Sequence, residues 1–247
     1  MNLFLTSKLK TVIKDENGIR YSIPLDNENQ ILDNIKRCLS RTNRIVNISN
    51  NPQNFENNDM YAKLTFESFE KTGFNFSEKI VLDDRNKKNA ESILKNADII
   101  ILSGGKISCQ NEFFNEIKLN KILQDYKGVV IGVSAGTMNL CKKVFNFPEE
   151  LIELDEQRWF EGLGFYDESI IPHFDGDTNS YQTKCEEIDI VNDFILPASR
   201  ECDFVGLKNG AYILIEDDGK ITMYGDIYKI SDGQVKIINN SINQQSL

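Results

Sequence analysis

The chain has 247 residues, a net charge of −10 and a pI of about 4.8. That length suits one α/β domain spanning residues 1–247, and the acidic balance excludes a nucleic-acid surface, which needs clustered Lys and Arg. No apolar run reaches the roughly eighteen residues of a membrane span. Five cysteines, an odd number without C-x-x-C spacing, read as reduced thiols of a cytoplasmic protein and argue against both a disulfide framework and a zinc site.

In chain order, residues 1–7 are too short an apolar run for a signal peptide and predict a first strand over 3–5. A polar turn at 15–18 and an extended piece at 19–24 follow. Residues 26–39 carry Ile31, Leu32, Ile35 and Leu39 on one helical face, with an acidic start and a basic end. A strand at 44–49, a helix at 59–71, a strand at 79–83 and a short helix at 89–96 come next. The very apolar stretch 97–105 predicts a strand ending in Gly104 and Gly105, and 111–126 a helix. Alternation of this kind predicts a mostly parallel central sheet with helices on both faces, and ligands bind beyond the carboxyl ends of such strands.

The stretch 128–144 organises the chain. Val129, Val130 and Ile131 read as a buried strand, the run breaks at Gly132-Val133-Ser134-Ala135-Gly136, and Met138, Leu140, Cys141 and Val144 resume at helical spacing. A strand, a sharp turn with serine at its apex and a helix form the arrangement called a nucleophile elbow. A side chain at Gly132 or Gly136 is expected to collide with the neighbouring strand or helix. Ala135 offers its N–H to an oxyanion on the Ser134 side, and Gly104-Gly105 on the same rim offers a second donor. Serine needs a base, and His173 is the chain's one histidine. The expected order of serine, acid and histidine is met by an acid-rich loop at 148–156 lying between Ser134 and His173.

Beyond this turn, 145–155 reads as an acidic loop, 156–161 as a helical turn and 169–174 as a strand ending in His173. Residues 175–180 read as a polar loop and 182–196 as a helix. Short strands at 204–207, 211–216, 221–224, 227–231 and 234–238 are separated by Asn-Gly and Asp-Gly turns, which are hairpin signals. The last residues, 239–247, are expected to be loose.

The segment Ile100-Ile-Leu-Ser-Gly-Gly-Lys-Ile-Ser-Cys-Gln-Asn-Glu-Phe-Phe, the Val-Ile-Gly-Val-Ser-Ala-Gly turn, Phe147-Pro-Glu149, and Gly162-Leu-Gly-Phe with Ile171-Pro-His-Phe resemble the aspartyl dipeptidase and cyanophycinase family of serine peptidases. The resemblance runs from about residue 43 to 230. It implies a class I glutamine amidotransferase-like fold, Ser134 as nucleophile, His173 as general base, and Gly104, Gly105 and Ala135 at the oxyanion. It also implies Glu149 as the third member, with Glu150 next in line and Glu153 and Asp155 below them. Lys106, Gln110 and Asn111 behind the glycine pair, and Lys184, are the candidates for substrate contact. Lys106 stands where the family commonly has Asn. The arginine that reads an acidic substrate has no counterpart beyond Lys184, and lysine lacks the bidentate fork of arginine.

The sequence thus predicts a peptidase acting on short peptides, of dipeptidase or isopeptidase type, through an acyl-enzyme. It needs no cofactor or metal, has no nucleic-acid or membrane partner, and is a monomer or small homo-oligomer, its rim narrowed by loops at 106–112 and 174–181. An esterase or amidase using the same residues, or a non-catalytic binding protein on the same scaffold, are the alternatives.

Overall fold

A computed structural model describes residues 1–177 and 188–240. The first half alternates as the apolar pattern dictates. β1 (Asn2–Thr6) precedes a small hairpin, β2 (Val12–Lys14) with β3 (Arg20–Ser22), and helix α1 (Ile31–Cys38). Then come β4 (Arg44–Ile48), α2 (Phe55–Lys71), β5 (Glu78–Leu82), α3 (Ala90–Lys95) and β6 (Ile99–Leu102). α4 (Ile107–Glu116), α5 (Leu119–Gln124), β7 (Val129–Val133) and α6 (Ala135–Leu140) lead into a second hairpin, β8 (Lys143–Phe145) with β9 (Trp159–Glu161). β10 (Ser169–Pro172) is followed, among the described residues, by a π-helical turn (Ile190–Ile195) that runs into α7 (Leu196–Ala198). β11 (Phe204–Leu207), β12 (Tyr212–Ile215), β13 (Ile221–Tyr224), β14 (Ile227–Ser231) and β15 (Gln234–Asn239) complete the series.

The main sheet runs β13-β12-β1-β7-β6-β4-β5, parallel from β1 to β5 and antiparallel at β12 and β13. α1 and α2 cover one face, where Ile35, Phe66 and Phe69 pack with Ile45, Ile99 and Ile131. α3, α4 and α5 cover the other, where Leu94, Phe113 and Leu123 pack with Val46, Ile100 and Val130. β4 therefore sends its chain to one face and its neighbour β6 to the other, as do β1 and β7. A crevice opens at the carboxyl ends of such strand pairs. A smaller sheet, β10-β11-β14-β15, packs its own core of Phe145, Ile171, Phe174, Phe204 and Ile230 beside α6.

Three local expectations are corrected. The helix expected over 111–126 starts at Ile107 and breaks at Lys118, whose φ of 55° divides α4 from α5. Buried positions in its first turns hold Gln110 and Asn111, amides that hide the apolar pattern, so most of the expected loop 106–112 is helix. Residues 156–161 contain strand β9, paired with β8, because Trp159 packs against Phe145 at a ring separation of 4.8 Å. The first half of the helix expected over 182–196 and much of the loops expected over 174–181 and 239–247 lie outside the described residues. No helix among the described residues is long and apolar enough to cross a membrane.

Candidate active site

Ser134 joins β7 to α6 with φ 52° and ψ −114°, a conformation a serine rarely adopts. The last residue of β1 fastens the turn. Thr6 O accepts from the Ser134 amide at 3.1 Å and from Thr137 Oγ1 at 2.7 Å, while Thr6 Oγ1 donates to Gly132 O at 2.7 Å. A Cβ on Gly132 would come within 2.9 Å of Thr137 Cα in α6, and one on Gly136 within 2.2 Å of Leu102 O in β6. Only glycine lets helix and strands close this tightly.

His173 follows the end of β10, also at positive φ (59°), and its amide donates to Ser7 Oγ at 2.7 Å, just past β1. Its Nε2 lies 2.9 Å from Ser134 Oγ and its Nδ1 2.7 Å from Asn209 Oδ1. A carboxamide oxygen only accepts, so the proton sits on Nδ1 and the Nε2 lone pair faces the serine hydroxyl. Ser7 Oγ also donates to Asn209 Oδ1, at 3.4 Å. The ring keeps an exposed edge, yet burial of the rest pushes its pKa below the ordinary value. The Asn209 hydrogen bond opposes that shift, Lys8 adds to it, and the Glu149 charge opposes it from a distance.

Asn209 therefore occupies the place expected of Glu149. It lies in the turn between β11 and β12, which is a crossing from the small sheet to the main one and not the hairpin its Lys-Asn-Gly sequence suggested. Parallel pairing of Pro172 with Leu207 brings the residues after both strands to one spot. An elbow hydrolase has its acid ahead of the histidine in the chain, and Asn209 comes after it. That an Asn-Gly turn followed a strand was the only hint.

Glu149, Glu150 and Glu153 line one wall of a cavity of about 590 Å³ that also contains Ser134, Ala135, His173 and Gly105. Asp155 is exposed and does not line it. Lys106 lines it too, but its ammonium is held by Glu156 at 2.7 Å and Glu153 at 3.2 Å, which raise its pKa. Gln110 and Asn111 are not in the cavity. Gln110 Nε2 donates to Ser103 O and its Oε1 accepts from Asn139, while Asn111 Nδ2 donates to Asn139 Oδ1 and Glu161 O. These buried amides pair with one another where α4 meets α6. Lys184 lies outside the described residues. Gly105 has φ 147°, and a Cβ there would fall on the Asn50 carboxamide, so its backbone reaches the rim in a shape reserved for glycine. Among the described residues no cluster of three or more His, Cys, Asp or Glu is placed to hold a metal.

The profile of peptidase family S51 matches residues 25–223. No curated protein sequence matches the chain. Among solved structures, a peptidase from an acI-B1 Actinobacterium superposes with a TM-score of 0.67 at 15% identity, covering 97% of this chain and 94% of that one. A putative peptidase E protein from Listeria monocytogenes EGD-e gives 0.57 at 14% identity, covering 90% and 96%. At such identities the two structures speak for the fold, and the matched profile speaks for the family. Both agree with the resemblance carried by the glycine pair, the Gly-Val-Ser-Ala-Gly turn and the Pro-His strand. The chain belongs to peptidase family S51 and is a serine-type peptidase.

Proposed function

We propose that the chain hydrolyses amide bonds of short peptides through an acyl-enzyme on Ser134. His173 Nε2 takes the hydroxyl proton as Oγ attacks the carbonyl, then passes it to the leaving amine, and water releases the acyl group. The amides of Gly105 and of Ala135, first residue of α6, face the developing oxyanion. Asn209 holds the imidazole in the working tautomer, a task that needs a fixed acceptor and not a charge. Glu149 supplies negative potential without touching the ring. What carries this reading is the 2.9 Å contact between Nε2 and Ser134 Oγ, with Nδ1 already engaged. The cavity volume of about 590 Å³ suits a few residues of peptide, not a folded protein.

The test is a panel of dipeptides, including β-aspartyl ones, incubated with wild type and Ser134→Ala. Hydrolysis by wild type alone supports the reading. Turnover of aryl esters with no peptide cleaved would instead assign an esterase.

A further inference from the structure

A second chamber, of about 430 Å³, lies on the other side of the glycine pair, at the crevice between β4 and β6. Gly105 lines both chambers. Among the described residues no charged side chain lines this one. Leu9, Ile101 and Val133 supply apolar lining, and Asn47 and Ser49 of the β4 end, Ser103 and Asn58 of α2 are among the hydroxyls and carboxamides set between them.

Two residues of this lining, Ser49 and Asn47, are buried and each carries a polar atom that no described residue pairs. Ser49 is 2% exposed and its Oγ has no hydrogen-bond partner among the described residues. Asn47 is 3% exposed; its Oδ1 accepts from Ser103 Oγ at 3.1 Å, while its Nδ2 donates to nothing among the described residues. Buried polar groups are nearly always paired, so unmet ones gathered in a cavity at a switch point indicate a ligand that pairs them. Donors and acceptors without charge select a ligand of the same kind, because an ion brought here would lose its hydration without a counter-charge. The chamber is also linked to the reaction site: Asn50, on its wall, donates from Nδ2 to Gly104 O at 2.5 Å.

We infer that this chamber binds an uncharged hydrogen-bonding group, a carboxamide or hydroxyl. The inference rests on the proposed peptide hydrolysis only for its source, either the substrate's own side chain or a free small molecule. The probe is N-acetyl-asparagine amide, titrated into isotope-labelled full-length Ser134→Ala and followed by NMR, with N-acetyl-aspartate amide as its charged counterpart. The expected result is saturable shifts at the Ser49, Ser103 and Gly105 amides, at least tenfold weaker binding of the charged probe, and loss of binding in Asn47→Leu or Ser49→Val. Absence of saturable shifts in a protein with an intact spectrum, or equal binding of both probes, overturns the inference.

Kinetics in the Ser134 background then separate the sources. If Asn47→Leu lowers kcat/KM about tenfold for asparaginyl dipeptides and spares alanyl ones, the group belongs to the substrate. If the probe binds alongside an alanyl dipeptide without competing and Asn47→Leu treats both dipeptides alike, it is a free ligand. Binding without any peptide cleavage keeps the chamber and removes the peptidase reading; cleavage without binding does the reverse.

Discussion

Ser134 and His173, the two non-glycine residues with left-handed φ in the reaction cavity, face each other across a 2.9 Å hydrogen bond. Each such conformation costs on the order of 1–3 kcal/mol. Both are held by the end of β1, Ser134 through Thr6 O and His173 through Ser7 Oγ. One strand end thus sets the position of the proposed nucleophile and of its base, although they come from different sheets.

Asn209→Ala removes the acceptor on Nδ1. A hydrogen bond to a charged imidazolium contributes roughly 1.5–3 kcal/mol, so kcat should fall roughly 10- to 150-fold with little change in KM. Steady-state kinetics on any cleaved dipeptide check this. A change below twofold would mean that the imidazole needs no such support.

The pH profile follows from the charges around His173. Its pKa lies below 6.5, and only the neutral imidazole accepts a proton, so the acid limb of kcat/KM should fall below that pH. Lys8 lowers the pKa and Glu149 raises it. Lys8→Gln should therefore move the limb to higher pH, and Glu149→Gln to lower pH. With Asn209 on Nδ1, Glu149→Gln should cost less than about tenfold above the limb. Shifts of the same sign in both variants would contradict this electrostatic account.

Much of this site was legible from residue types alone. The apolar run 129–131 and the glycines at 132 and 136 announce a tight strand-to-helix turn, because their spacing leaves no room for a Cβ on either side. His173 was identified by being the chain's one imidazole. Other features were hidden. Gln110 and Asn111 look like loop residues until α4 and α6 pack their amides together. Trp159 and Phe160 form a strand only because Phe145 lies opposite. Asn209 becomes a neighbour of His173 only through the pairing of β10 with β11, a long-range contact with no local pattern.

Lys106 is spent on Glu153 and Glu156, and three carboxylates share its cavity. A substrate with an N-terminal aspartate meets like charge there, at a cost of about 1 kcal/mol or more even in a water-like dielectric. Asp-X dipeptides should be cleaved at least about fivefold more slowly than Ala-X in kcat/KM. Faster cleavage of Asp-X would point to a cation elsewhere in the chain.

Gly136→Ala places a methyl 2.2 Å from Leu102 O, inside the contact of α6 with β6. Overpacking of this kind costs typically about 1–3 kcal/mol. Urea unfolding should show a lower midpoint with an unchanged m-value, and an unchanged midpoint would mean that α6 shifts freely.

The most direct measurement is the rate of phosphonylation by a fluorophosphonate probe, followed by intact mass and peptide mapping. Wild type should form one adduct, on Ser134, and His173→Ala should react at least about a thousandfold more slowly, as expected when serine and base act as a unit. Labelling of His173→Ala at the wild-type rate, or an adduct on another residue, would contradict the account.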